Sequence, residues 1–161
     1  MGGTGIIAAT VKASSAFDCG NSGVVAEQAS DCRGQCRTGT GVSALIALNC
    51  YGISSGGYGI EAYTAQNCYG YSNGIGISAL TVQNSRGYSA GNSYGIYASN
   101  VQNCSGYNDG SGFGIYASDT AVGSTGYSLS GVGLSAFIAN VCRGSTSTGT
   151  ALSTPHNVNS F

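Results

Sequence analysis

Apolar positions return along this chain in step rather than in blocks. Glycine followed by an apolar residue recurs as Gly5-Ile6, Gly23-Val24, Gly41-Val42, Gly59-Ile60, Gly76-Ile77, Gly95-Ile96, Gly114-Ile115 and Gly133-Leu134, with a degraded copy at Ala151-Leu152. The spacings are 18, 18, 18, 17, 19, 19, 19 and 18 residues. Two positions after each apolar anchor stands Ala: Ala8, Ala26, Ala44, Ala62, Ala79, Ala98, Ala117 and Ala136. Two before it lies Tyr58, Ile75, Tyr94, Phe113 or Val132. The result, apolar-Gly-apolar-x-Ala, has the period of a strand with one face turned inward. A helix would need apolar residues three and four apart, and each interior Gly would cost it about 1 kcal/mol.

Other columns keep the same step. A second small apolar residue follows as Val11, Ala29, Ala47, Ala65, Val82, Val101 and Ala139, with Ala121 one place late. Then come Asn49, Asn67, Asn84 and Asn103, and beside them Cys32, Cys50, Cys68, Cys104 and Cys142, with Ser85 and Ser124 in the gaps. Gly34, Gly52, Gly70, Gly87, Gly106, Gly126 and Gly144 form a further column, followed by pairs such as Tyr71-Ser72, Tyr88-Ser89 and Tyr127-Ser128. A coil of this kind cannot bury its apolar face alone, so coils must stack. The pattern predicts a single-domain, all-β parallel β-solenoid over residues 1–152, with 153–161 as a C-terminal cap or tail. Nine coils at the strand spacing give a rod about 43 Å long. Ile60, Ile77, Ile96, Ile115 and Leu134 are expected to form one buried stack. The Asn column is expected to form an asparagine ladder at a turn. The Gly columns read as corners that need either positive φ or close backbone approach. Small inward residues imply a thin core, with Ile, Tyr and Phe on its wider side.

The segments GFGIYASDTA and YGIYASNVQNC resemble coils of pectate-lyase-type parallel β-helix repeats, with Gly-Ile entering a strand and Asn at a turn. The longer pattern Asn-Cys-x-Gly-Tyr-Ser-x-x-Gly-x-Gly-Ile-x-Ala is similar to repeat arrays in large predicted surface proteins of bacteria. The resemblance covers about residues 5 to 152 and implies a fold rather than an activity, since one fold hosts unrelated functions. A right-handed coil is favoured. The 18-residue left-handed rival wants bulky aliphatics every six residues, and those places hold Gln66 and Ser72, or Gln83 and Ser89.

Composition narrows the functional classes. Charged residues make up 7% of the chain against 42% hydrophobic, which is the reverse of a disordered segment. A net charge of −1 gives no electrostatic case for nucleic acid or an anionic membrane. No apolar run reaches the roughly 20 residues of a membrane helix. The start, MGGTGIIAATVKASS, shows no signal peptide, so the sequence reads as a piece of a longer extracellular or cell-surface chain.

Candidate chemistry is sparse. The seven cysteines include no CxxC pair, and His156 is the single imidazole, so neither zinc nor another cofactor is implied. The column from Cys32 to Cys142 reads as buried thiols acting as small hydrophobes. Cys19 and Cys36 lie outside that column, nearly one coil apart, and are the pair best placed for a disulfide. The acids Asp18, Glu27, Asp31, Glu61, Asp109 and Asp119 fall in different columns and pair with nothing for acid–base work. No enzyme is read here.

Tyrosines are the main surface feature. Tyr97 and Tyr116 follow the Ile anchor and should point outward, and Tyr51 and Tyr69 follow the Cys. Such ladders can stack on sugar rings or a partner protein, or they can only brace the rod. The sequence therefore predicts a non-enzymatic structural or adhesive repeat domain. The alternative is a carbohydrate-binding solenoid using Tyr, Asn and Ser ladders. Ice binding, a polysaccharide lyase and a self-assembling fibre are lesser alternatives. Partners are expected to be carbohydrate or protein, including a second copy joined through the N-terminal coil.

Overall fold

The computed structural model describes residues 2–161 and contains no helix among them. Each coil runs through a long strand, a sharp corner, a short strand and a return loop. The long strands are β1 (Ile6–Lys12), β3 (Val24–Ser30), β5 (Thr40–Leu48), β7 (Tyr58–Gln66), β9 (Ile75–Gln83), β11 (Tyr94–Gln102), β13 (Phe113–Val122), β15 (Val132–Asn140) and β17 (Thr150–Ser153). The short strands are β2 (Ser15–Cys19), β4 (Arg33–Cys36), β6 (Tyr51–Ser54), β8 (Tyr69–Ser72), β10 (Arg86–Ser89), β12 (Ser105–Asn108), β14 (Thr125–Ser128) and β16 (Arg143–Thr146). A last strand, β18 (His156–Val158), pairs with β15. Long strands stack in chain order into one parallel sheet and short strands into another. The chain is a parallel β-solenoid of about eight turns with about 18 residues per coil. Its two faces are unequal, nine and four residues in β5 and β6, rather than three faces of six.

Stacking is in register. Ile60 pairs with Ile77, Ile77 with Ile96, Ile96 with Ile115 and Ile115 with Leu134, and all five side chains are fully buried. Each contributes about 1.5–3 kcal/mol by burial. Beside them run the buried Ala29, Ala47, Ala65, Val82, Val101, Ala121 and Ala139.

No aromatic ring enters this core. Tyr58, Ile75, Tyr94, Phe113 and Val132, expected inside, are only half-buried. Tyr94 instead stacks on Phe113 at 5.3 Å and leans on Tyr97 at 5.1 Å, outside the sheet. The reason is the closeness of the two sheets. A Cβ on Gly52, Gly70, Gly87 or Gly106 would overlap the carbonyl oxygen of Gly59, Gly76, Gly95 or Gly114 opposite. Close approach, not positive φ, therefore fixes these glycine columns; only Gly123 has φ in the left-handed region.

Apart from Asp18 at the irregularity in β2, the left-handed positions belong to the corner after each long strand. Ala13, Asp31, Asn49, Asn67, Asn84, Asn103, Gly123, Val141 and Asn159 all hold φ between +47° and +58°. Asn and Asp adopt this conformation at low cost, which explains the Asn column. Side-chain bonds run from Asn49 Nδ2 to Asp31 Oδ1 (3.0 Å), from Asn67 Nδ2 to Asn49 Oδ1 (3.2 Å) and from Asn103 Nδ2 to Asn84 Oδ1 (3.5 Å). None joins Asn84 to Asn67, so the bonds do not form one continuous ladder; the shared feature of the column is its backbone.

Coil-length differences fall in the return loops and in one bulge. Two residues separate β8 from β9, and four separate β10 from β11. In β13 the pairing shifts between Ala117 and Thr120, which brings Ala121 back into register with Val101 and Ala139. Towards the C-terminus, β17 and β18 pair with successive halves of β15, on either side of Thr154-Pro155. Residues 153–161 thus stay on the last coil, where Phe161 N–H donates to the Cys142 carbonyl.

Candidate functional site

Two buried polar columns set which residues face outward. Cys32, Cys50, Cys68, Cys104 and Cys142 are buried free thiols. Each Sγ points to the carbonyl two residues back across the left-handed corner: Ser30, Leu48, Gln66, Gln102 and Asn140, at 3.0–3.4 Å. Ser85 and Ser124 make the same bond to Gln83 and Val122. Four members, Cys68, Ser85, Cys104 and Ser124, also accept from the coil before. Cys50 N–H donates to Cys68 Sγ, Cys68 N–H to Ser85 Oγ, Ser85 N–H to Cys104 Sγ and Cys104 N–H to Ser124 Oγ. The column is thus a hydrogen-bonded ladder rather than a hydrophobic filler, and a hydroxyl serves where a thiol does. Burial away from water pushes the Cys32, Cys36 and Cys104 thiols up. The hydrogen bond with Cys68, and then burial, pushes Cys50 up.

The second column holds Ser54, Ser72, Ser89, Asn108 and Ser128, all fully buried. In the sequence this column shows only as half of a Tyr-Ser pair, with no sign of its burial. These side chains tie down the return loops. Ser54 Oγ donates to the Gly39 carbonyl and accepts from Gly56 and Gly57 N–H. Asn108 does the same job with more bonds, donating to Gly91 and Ser93 carbonyls and accepting from Gly110 and Gly112 N–H. Cys36 pairs with Ser54 in register, and Cys19 with Cys36, so these two cysteines occupy the same column at its first rungs. Both are free thiols.

With Gly and Ser turned inward, the alternate residues of the short strands face out. Tyr71, Tyr88, Tyr107 and Tyr127 form a four-ring stack with centroids 5.1, 5.3 and 4.5 Å apart and planes 13°, 7° and 22° from parallel. Tyr51 and Tyr69 stack at 4.9 Å in the neighbouring column. Arg33 lies 4.9 Å from the Tyr51 ring centre and 5.2 Å from that of Phe17. On the long-strand face, Tyr97 stacks on Tyr116 at 5.5 Å, and Tyr94 and Phe113 meet Tyr116 edge-on. The consequence is geometric. Rings stacked along the rod turn their faces to one another and show solvent their edges and hydroxyls. Tyr88 donates to the Asp109 carboxylate, and this bond pushes its phenol up. Tyr127 Oη and Ser147 Oγ are 3.0 Å apart.

A groove of about 510 Å³ runs along the corner between the two sheets. Asn49, Asn67, Asn84 and Asn103 form one wall; Tyr51, Tyr69, Arg86 and Ser105 form the other. The groove thus joins the predicted Asn column to one of the two predicted tyrosine pairs. Tyr97 and Tyr116 are on the opposite sheet and take no part in it.

The charged residues stay dispersed. Glu27, Glu61 and Asp119 lie on β3, β7 and β13 of the long-strand sheet. Arg33, Arg86 and Arg143 occupy one position of the short strands, three rungs apart each time. Among the described residues no group of three or more His, Cys, Asp or Glu side chains could hold a metal ion.

These features define a β-solenoid whose buried polar columns bond mainly to backbone and whose aromatic columns stack on one another. Comparison with known proteins finds no matching family model, no similar curated protein and no similar solved structure. The likeness to pectate-lyase-type coils therefore rests on the repeat pattern itself.

Proposed function

We propose that this chain is a non-enzymatic structural or adhesive repeat domain, a stiff spacer within an extracellular or cell-surface protein. One observation carries the reading: the ring faces that would receive a sugar are covered by neighbouring rings in the Tyr71–Tyr127 stack. What a tyrosine ladder contributes here is coil-to-coil cohesion, at about 0.5–1.5 kcal/mol per ring pair beyond burial. Pairing with a second copy through the first coil belongs to the same proposal. Among the described residues β1 pairs with β3 alone, and Ile7 and Phe17 are exposed on this coil. Sedimentation at rising concentration tests that pairing, and a strictly monomeric species counts against it.

Glycan binding is the second reading, favoured by the corner groove, where exposed Asn amides stand beside Tyr51, Tyr69 and Arg86. A glycan array separates the two. The structural reading expects no retained glycan. A glycan that is retained, and lost in the Tyr51→Ala/Tyr69→Ala variant, transfers the chain to the second reading.

A further inference from the structure

We propose that the Tyr71–Tyr88–Tyr107–Tyr127 stack is an oxidation site, where a one-electron oxidant makes tyrosyl radicals that join the same ladder of a second copy as dityrosine. The inference goes beyond the spacer role and stands on the ladder geometry alone.

Three features support it. First, four phenols stand in ring contact at 4.5–5.3 Å, so a radical formed on one has neighbours of the same chemistry to exchange with. Second, a phenol loses its proton when it loses an electron, and Tyr88 already donates to the Asp109 carboxylate. Asp109 accepts that proton as a positioned base, so oxidation begins at Tyr88. Third, the four half-buried rings lie on the outer face of the short strands with the Tyr88 and Tyr127 hydroxyls bonded at the surface, and a ring that points outward leads with its hydroxyl and the two ring carbons ortho to it. Those carbons are the ones that couple.

The same geometry chooses the partner. The new carbon–carbon bond lies in the plane of both rings at its ends. Stacked neighbours sit face to face, with planes only 7–22° from parallel, and are badly placed to make it. A ladder on a second copy can approach edge to edge. With hydrogen peroxide and a haem peroxidase as oxidant, each of two phenols gives up one electron and one proton, and the peroxide leaves as two waters. The two ortho carbons then bond, and each ring regains aromaticity as its ortho hydrogen moves to the phenolic oxygen.

The test treats the purified chain with peroxidase and hydrogen peroxide. Dityrosine fluorescence, denaturing electrophoresis and peptide mapping are the readouts. Covalent dimers linked at Tyr71, Tyr88, Tyr107 or Tyr127 are expected. The variant with all four changed to Phe keeps the ring stack, as circular dichroism checks, and should lose most of the dimer. It retains seven other tyrosines, among them Tyr63, which is 63% exposed. If simple exposure governs the reaction, the links map to Tyr63 and the quadruple variant dimerises as before, which overturns the proposal. Dityrosine confined within single chains overturns the coupling to a second copy. Asp109→Asn should slow the first oxidation several-fold, and an unchanged rate removes Tyr88 as the starting point.

Discussion

Gly70 and Gly76 face each other across the solenoid, so closely that a Cβ on Gly70 would overlap the Gly76 carbonyl oxygen. The obstacle is backbone, which cannot swing aside as a side chain does. Gly70→Ala is therefore expected to cost about 1–3 kcal/mol or more, as overpacking does. Gly56 provides the control. A Cβ there meets nothing nearer than 3.6 Å, and Gly56→Ala should be neutral or slightly stabilising. Urea denaturation of the two variants measures the contrast.

Val141 occupies the corner position with φ +51° and is 60% exposed. A β-branched residue there is strained, whereas Asn is at ease. Val141→Asn should stabilise the chain by about 1 kcal/mol. Asn67→Val should destabilise by at least as much, since it also removes the bond to Asn49. Equal melting temperatures for the wild type and Val141→Asn would show that the corner does not carry this strain.

Cys68 accepts the Cys50 N–H and donates to the Gln66 carbonyl. Ser makes both kinds of bond at position 85 of the same column. Cys68→Ser is expected to fold with a small loss of stability. Cys68→Ala leaves the buried Cys50 N–H without its acceptor, and should cost about 1–3 kcal/mol. If Ala proves as good as Ser, the column is packing and not a ladder.

Alkali should weaken the fold. The Cys32, Cys36 and Cys104 thiols are held above their ordinary value of 9.0 in the folded chain by burial, while in the hydrogen-bonded Cys50–Cys68 pair one thiol is raised and the other lowered. Tyr69, Tyr88 and Tyr107 are likewise held above 10.0. Above those values the unfolded chain has released protons that the folded chain keeps, so stability falls as pH rises. Below about pH 8 both states keep these protons, and these groups impose no slope. Melting temperatures between pH 7 and pH 11 check the sign. A rise above pH 9 would contradict it.

Much of the architecture was legible in the amino-acid sequence, because a solenoid writes its contacts into its period. Gly-Ile at steps of 17 to 19 residues identified which side chains stack, since each packs on its own copy one coil away. The four Asn marked a turn for the same reason. What the repeat could not say was how far apart the two sheets stand, because a period gives the spacing along the rod and not across it. That distance was decided only when the sheets closed. It excluded Tyr94 and Phe113 from the core, fixed Gly70 against Gly76, and turned the tyrosines edge-on to solvent. The polar columns were hidden in the same way. Cys68 and Ser72 look like a small hydrophobe and a surface hydroxyl until the coil brings the Cys50 N–H and the Gly57 carbonyl to them. Sequence thus determined which residues repeat, and tertiary closure decided which way each column faces, because facing depends on the gap the opposite sheet leaves.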